Sequence, residues 1–169
     1  MSDAASDRTS VLFVCLGNIC RSPLAEGLFL HEARRRGLVD RFRVDSAGTG
    51  HWHIGKPADP RSVAVAKKHG VELPSLARQV SPADFDRFGW LVAMDRSNRM
   101  DLLDLGAPES RVHLLRAFDP GLGGADEEEL DVPDPYFGGD DGFDQVFAMV
   151  RSATGGLIDR LLERAGERG

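Results

Sequence analysis

The chain has 169 residues, 41% of them hydrophobic and 28% charged, an ordinary balance for a single globular domain with a sizeable core. Its 27 acidic against 21 Lys and Arg side chains leave a formal charge of −6, which argues against a general nucleic-acid binder, because affinity for a phosphate backbone needs a positive surface. The two cysteines, Cys15 and Cys20, share one short stretch; they exclude a disulfide framework and point to a reducing, cytoplasmic setting, and no apolar run reaches membrane-spanning length.

In chain order, residues 1–10 are polar, lack the apolar core of a signal peptide, and read as a disordered extension ahead of one domain over 11–165. Val11–Cys15 is a buried-type strand. Ser22 to about Arg36 is a helix with Leu24, Leu28 and Ala33 near one face and Gly37 as its stop. Phe42–Ser46 is a second strand, followed by a loop through Gly50 and Gly55. Asp59–His69 is a helix ending at Gly70. Ser81, Pro82 and Asp84 stand as N-cap, N1 and N3 of another helix. Trp90–Met94 is a strand, Ser97–Leu105 a short helix ending at Gly106, and Val112–Leu115 the last strand. Residues 119–141 form a long loop rich in Gly, Pro and acid, and Phe143 to about Arg164 is a closing helix. Four strands separated by helices predict an α/β fold of three layers, a four-stranded parallel sheet with helices on both faces. Ligands in such sheets bind at the carboxyl ends of the strands, and Cys15 stands at the end of the first.

The chemistry concentrates there. Cys15-Leu16-Gly17-Asn18-Ile19-Cys20-Arg21-Ser22 places five residues between a cysteine and an arginine, in a loop between a strand and a helix. That length lets the backbone curl around one tetrahedral oxyanion, with successive N–H groups pointing inward and the helix N-terminus adding its positive end. Gly17 is expected to relieve the turn with a positive φ. Arg21 offers a planar fork to two phosphate oxygens. The same field favours the thiolate of Cys15, and a thiolate beside a phosphoryl group is a nucleophile. A leaving alkoxide or phenoxide must be protonated. Asp134, held extended before Pro135 and ahead of Tyr136 and Phe137, is the candidate acid. No His, Cys or carboxylate spacing suggests a metal site. The acidic run Asp126–Glu129 reads as a solvated loop, or as a surface that repels acidic peptides or meets a basic partner.

Val14–Pro23, Val44–Thr49, Ala77-Arg78-Gln79, Met94–Asn98 and Asp134–Phe137 together resemble, in order, the blocks of the low-molecular-weight protein tyrosine phosphatases, and the resemblance runs from Val11 to the last helix. It implies a flavodoxin-like sheet and a protein tyrosine phosphatase that needs no metal or organic cofactor. Cys15 is then the nucleophile and forms a phosphocysteine. Arg21 stabilises the transition state, and Asp134 protonates the leaving phenol before activating water. Leu16, Gly17, Asn18, Ile19, Cys20 and Ser22 form the phosphate loop. Ser22 donates to the sulfur, and Asn18 holds the loop together with Ser46. Trp52, His53, Tyr136 and Phe137 shape the substrate slot, which admits a long aryl phosphate and leaves phosphoserine short. Relatives resembling phosphoarginine phosphatases carry Thr at the position of Ile19, so Ile19 favours phosphotyrosine.

The resemblance also implies a reversible Cys15–Cys20 disulfide; a packed Cys20 thiol is the alternative. Where many relatives carry a His behind the loop, this chain has Ser75, with His69 as a candidate replacement. Asp95 and Arg96 follow a strand end, where Asp95 is expected to pair within the scaffold. The expected partner is a phosphotyrosine-containing protein, not nucleic acid or membrane, and the expected state is a monomer. Three other activities stand beside this one. Arsenate reduction lacks the downstream resolving cysteines, since none follows Cys20. Phosphoarginine hydrolysis would use the same loop. Pure phosphotyrosine binding would have no use for the nucleophile and acid.

Overall fold

Val11, Leu12, Phe13 and Val14 are all fully buried, which a strand achieves only inside a sheet covered on both faces. The computed structural model, which describes residues 8–73, 75–136 and 140–168, shows that sheet. Strands β1 (Thr9–Cys15), β2 (Phe42–Gly48), β3 (Trp90–Ala93) and β4 (Val112–Leu114) are all parallel in the order β2-β1-β3-β4. β1 begins two residues before the apolar run, because Thr9 and Ser10 pair with Phe42 and Arg43. The rest of the expected N-terminal extension, Met1–Asp7, lies outside the described residues.

Side chains alternate across β1 and separate two cores. Val11 and Phe13 pack with Leu24 and Phe29 of helix α1 (Arg21–Arg35), Val65 of α2 (Pro60–Lys68), and Phe147 and Leu157 of α5 (Asp140–Arg168). Phe29 meets the Phe42 ring edge-on at 5.0 Å. Leu12 and Val14 face the other core, with Phe85 of α3 (Asp84–Arg87) and Leu102 of α4 (Arg96–Asp104). The order reverses between β1 and β3, where a crevice opens at the carboxyl ends of a doubly wound sheet. Cys15 ends β1 at that crevice. Among the described residues no helix is long and apolar enough to cross a membrane.

The predicted stops hold: Gly37, Gly70 and Gly106 lie just beyond α1, α2 and α4, each with positive φ. α3 departs from its predicted start: it is a single turn beginning at Asp84, so Ser81 and Pro82, expected as N-cap and N1, lie ahead of it. The Ser81 N–H still donates to Asp84 Oδ2 at 2.8 Å, and by Phe88 the chain is already extended and buried, delivering it to β3. The residues expected as one long loop contain 3₁₀ turns at Pro120–Leu122 and Glu127–Leu130. The acidic run is partly neutralised: Glu127 pairs with Arg99, and neighbouring Asp131 pairs with Arg96 at 3.0 Å.

Asp84 is tied down further. Arg78 donates to both its oxygens at 3.0 Å, while Arg78 Nε reaches Asp45 at 3.0 Å. Burial pushes the Asp84 carboxyl up, but the hydrogen bonds from Arg78 and Ser81 and the charges of Arg78 and Arg87 outweigh it and hold the group below the ordinary Asp range. A carboxylate with a depressed folded pKa adds stability above its unfolded pKa and loses it as pH falls through the folded value. Asp84→Asn is therefore expected to lower unfolding free energy near neutral pH by about 2 kcal/mol. The deficit should shrink as pH falls below the ordinary Asp range and the folded wild-type carboxylate at last protonates. Urea unfolding at both pH values checks this; a deficit constant with pH would remove the charge from the explanation.

Candidate active site

The loop after Cys15 is shaped by Asn18, not by Gly17. Asn18 has φ 56°, while Gly17 is absent from the positive-φ residues. Asn tolerates this left-handed conformation because its short amide can hydrogen-bond locally. Gly17 serves close approach instead, since a Cβ there would lie 3.0 Å from the His53 ring. Beneath the loop, a Cβ on Gly48 would meet the Leu16 carbonyl oxygen at 2.7 Å and the Asn18 nitrogen at 3.1 Å, so only glycine lets β2 support the loop this closely.

Hydrogen bonds fix the direction of each proton. The Arg78 N–H donates to Asn18 Oδ1 at 3.0 Å, so Asn18 Nδ2 is the donor to Ser22 Oγ at 2.8 Å and Ser46 Oγ at 2.9 Å. With that bond accepted, Ser22 can turn its own proton to Cys15 Sγ, 3.0 Å away. The Asn18 N–H also donates to the sulfur, at 3.2 Å. Both donors favour negative charge on sulfur. Ser46 in turn donates to Glu26 Oε1 at 2.7 Å.

Glu26 was not singled out from the sequence. It is buried, four residues after Ser22 on the same face of α1. Burial pushes its carboxyl up, and hydrogen bonds from Ser46 and Ser75 pull it back. Ser75 therefore joins the network behind the loop through Glu26. His69 does not take that role, since its ring stacks on Phe147 at 4.4 Å.

Arg21 is buried in the first turn of α1. Its Nη1 donates to Asp95 Oδ2 at 2.5 Å and to the Val132 carbonyl at 3.0 Å, and its Nη2 stands 3.6 Å from Asp134 Oδ2. The Nε is buried and has no hydrogen-bond partner among the described residues. Burial opposes the charge of Arg21, but facing Cys15, Asp95 and Asp134 outweigh it and keep the guanidinium cationic. Asp95 pairs within the scaffold as expected, and it also caps α4 by accepting the Asn98 N–H at 2.7 Å.

Asp134 Oδ1 accepts the Tyr136 N–H at 3.0 Å, a tight Asx turn that aims the carboxyl inward. Arg61 secures this segment. It donates to the Tyr136 carbonyl at 3.1 Å, stacks over the Tyr136 and Phe143 rings at 5.5 and 4.5 Å, and pairs with Asp59. The Asp59 N–H donates to the Ile19 carbonyl at 2.8 Å, so the Asp59–Arg61 pair links the phosphate loop to the Asp134 segment. An Asp-Pro-Arg helix start is an ordinary cap in sequence; this bridging depends on what lies opposite.

Cys15, Leu16, Gly17, Ile19, Cys20 and Arg21 line the floor of a cavity of about 250 Å³, with Trp52, His53, Asp134 and Tyr136 around it. Every predicted pocket residue is brought there except Phe137, which lies outside the described residues. The Trp52 ring stacks on His51 at 5.4 Å, and His53 approaches Tyr136 at 6.1 Å. Both thiols are free and buried. Burial first, then the negative charges of Asp59, Cys15 and Asp134, push the Cys20 thiol up to about 12. Cys20 is thus a packed thiol beside Cys15. The cavity joins a sulfur with two donors, a fixed cation and a carboxyl at the rim, the set required to attack a phosphoryl group and protonate what leaves it.

Comparison with known proteins agrees. The model of the family described as low molecular weight phosphotyrosine protein phosphatase matches residues 10–166. A low molecular weight protein-tyrosine phosphatase A of Mycobacterium tuberculosis is 46% identical over 97% of this chain and 98% of its own. The crystal structure of a protein tyrosine phosphatase from Entamoeba histolytica superposes with a TM-score of 0.85 at 36% identity, covering 93% of this chain and 99% of that one. A Drosophila arginine phosphatase superposes with a TM-score of 0.80 at 32% identity, covering 89% and 96%. With the match spanning both the sheet and the loop that carries Cys15 and Arg21, the chain belongs to the low molecular weight phosphotyrosine protein phosphatase family.

Proposed function

We propose that this phosphatase hydrolyses phosphotyrosine in protein substrates through a phosphocysteine. The observation that carries the reading is the convergence of Cys15, Arg21 and Asp134 on one cavity walled by Trp52 and Tyr136. In the first step the Cys15 thiolate attacks phosphorus; the S–P bond forms, the P–O bond to the phenol breaks, and Asp134 gives its proton to the departing oxygen. Loop N–H groups and the Arg21 guanidinium stabilise the equatorial oxygens as charge builds. In the second step Asp134 takes a proton from water as it attacks phosphorus, and the thiolate leaves, eased by the Ser22 hydroxyl. No metal or cofactor enters this scheme. The free, buried thiols suit a reducing compartment, the cytoplasm, and the working unit is a monomer.

The fold likeness to an arginine phosphatase makes phosphoarginine the second substrate to measure. The apolar Ile19 on the cavity floor favours the aryl ester. Phosphate release from phosphotyrosine, phosphoserine and phosphoarginine peptides in parallel tests the reading. Release from phosphotyrosine alone is expected. Preference for phosphoarginine would overturn the substrate assignment while leaving the covalent mechanism standing, and thiol consumption driven by arsenate would replace it with reduction.

A further inference from the structure

A groove of about 300 Å³ adjoins the cavity on the α4 side and shares two walls with it, Leu16 and Trp52. Its far wall is Asp101, Asp104 and Leu105. Leu16, Trp52 and Leu105 are 41%, 61% and 44% exposed, a contiguous apolar surface that water covers at a cost. The lining holds two carboxylates and no cationic side chain. The arginines of α4 do not compensate them, because Arg96 and Arg99 are engaged by Asp131 and Glu127. Among the described residues neither Asp101 nor Asp104 has an ion-pair partner. The Thr49 hydroxyl, in the same lining, has no hydrogen-bond partner among the described residues.

We propose that this groove seats the substrate chain flanking the phosphotyrosine and selects a segment that combines an apolar with a basic residue. The proposal rests on the phosphotyrosine reading of the cavity. A phosphotyrosine whose ring fills the cavity delivers its main chain to the rim, and Leu16 and Trp52 make the rim continuous with the groove. An apolar side chain there covers Leu16, Trp52 and Leu105. A Lys or Arg beside it meets Asp101 and Asp104, whereas an acidic neighbour is repelled by both.

The test compares matched phosphotyrosine peptides flanked by Leu with Lys or by Leu with Glu, with p-nitrophenyl phosphate as a substrate that has no flanking chain. Wild-type kcat/KM is expected to favour the Lys peptide by about fivefold at low salt, and the ratio should contract as salt screens the rim charges. In the Asp101→Asn/Asp104→Asn double variant the ratio should fall to near one with p-nitrophenyl phosphate turnover unchanged. Leu105→Ser should lower kcat/KM for both peptides and spare the small ester. An unchanged Lys preference in the double variant, or no preference in an active wild type, would overturn the groove assignment alone. Failure of the wild type to turn over p-nitrophenyl phosphate would bring down the phosphatase reading beneath it.

Discussion

Cys15→Ser is expected to abolish turnover, by about 10⁴-fold or more in kcat, while phosphotyrosine still binds. The reason lies in what the site supplies to a sulfur and cannot supply to an oxygen. The Asn18 N–H at 3.2 Å and the Ser22 hydroxyl at 3.0 Å stabilise an anion at this position, but a serine hydroxyl ionises too weakly for two hydrogen bonds to expose an alkoxide. Among the described residues Cys15 is hydrogen-bonded to Ser22 and to the Asn18 backbone, neither of which can act as its base. Arg21, the loop N–H groups and the aromatic walls remain in place, so the oxyanion cradle still binds ligand. Phosphate release paired with a direct binding measurement separates the two effects. Turnover within tenfold of wild type would rule out the covalent route.

Asp134→Ala is expected to lower kcat/KM for phenyl phosphate by about 10²- to 10³-fold, and for p-nitrophenyl phosphate far less. Formation of the phosphocysteine governs kcat/KM, and only that step contains the leaving group. A phenol with a pKa near 10 departs poorly as an anion, whereas an activated phenol needs little protonation. The Asx turn with Tyr136 and the brace from Arg61 hold the carboxyl at the rim, 3.6 Å from Arg21. Equal losses on both esters would assign the acid to another group.

Much of the molecule is legible from pattern alone, because the signals are local. The fully buried β1, the Gly37, Gly70 and Gly106 stops, and the Cys15–Arg21 loop each depend on a few neighbouring residues. α3 begins at Asp84 rather than after Ser81 and is a single turn, because burial of the extended Phe88 decides where it ends. Asn18 takes the positive φ expected of Gly17, in addition to its expected hold on Ser46. Glycine permits positive φ but does not require it, and here Gly17 sits close beneath the His53 ring while Asn18 carries the turn. Glu26 and Arg61 look like ordinary helix residues, since their partners lie 20 and 75 positions away.

Residue pattern alone specifies the alternation that builds a parallel sheet, the loop able to hold a phosphate, and the order of the blocks that identify the family. These are properties of backbone geometry and short-range chemistry, written in adjacent residues. Packing between distant segments alone sets Ser75 against Glu26 behind the loop and buries the Cys20 thiol beside Cys15. It likewise decides that Arg61 braces the Asp134 segment and that Asp101 and Asp104 face a groove with no cation to answer them. Hydrogen-bond direction, desolvation and charge pairing depend on which distant groups share a few ångströms, and that is set by the packing of the layers.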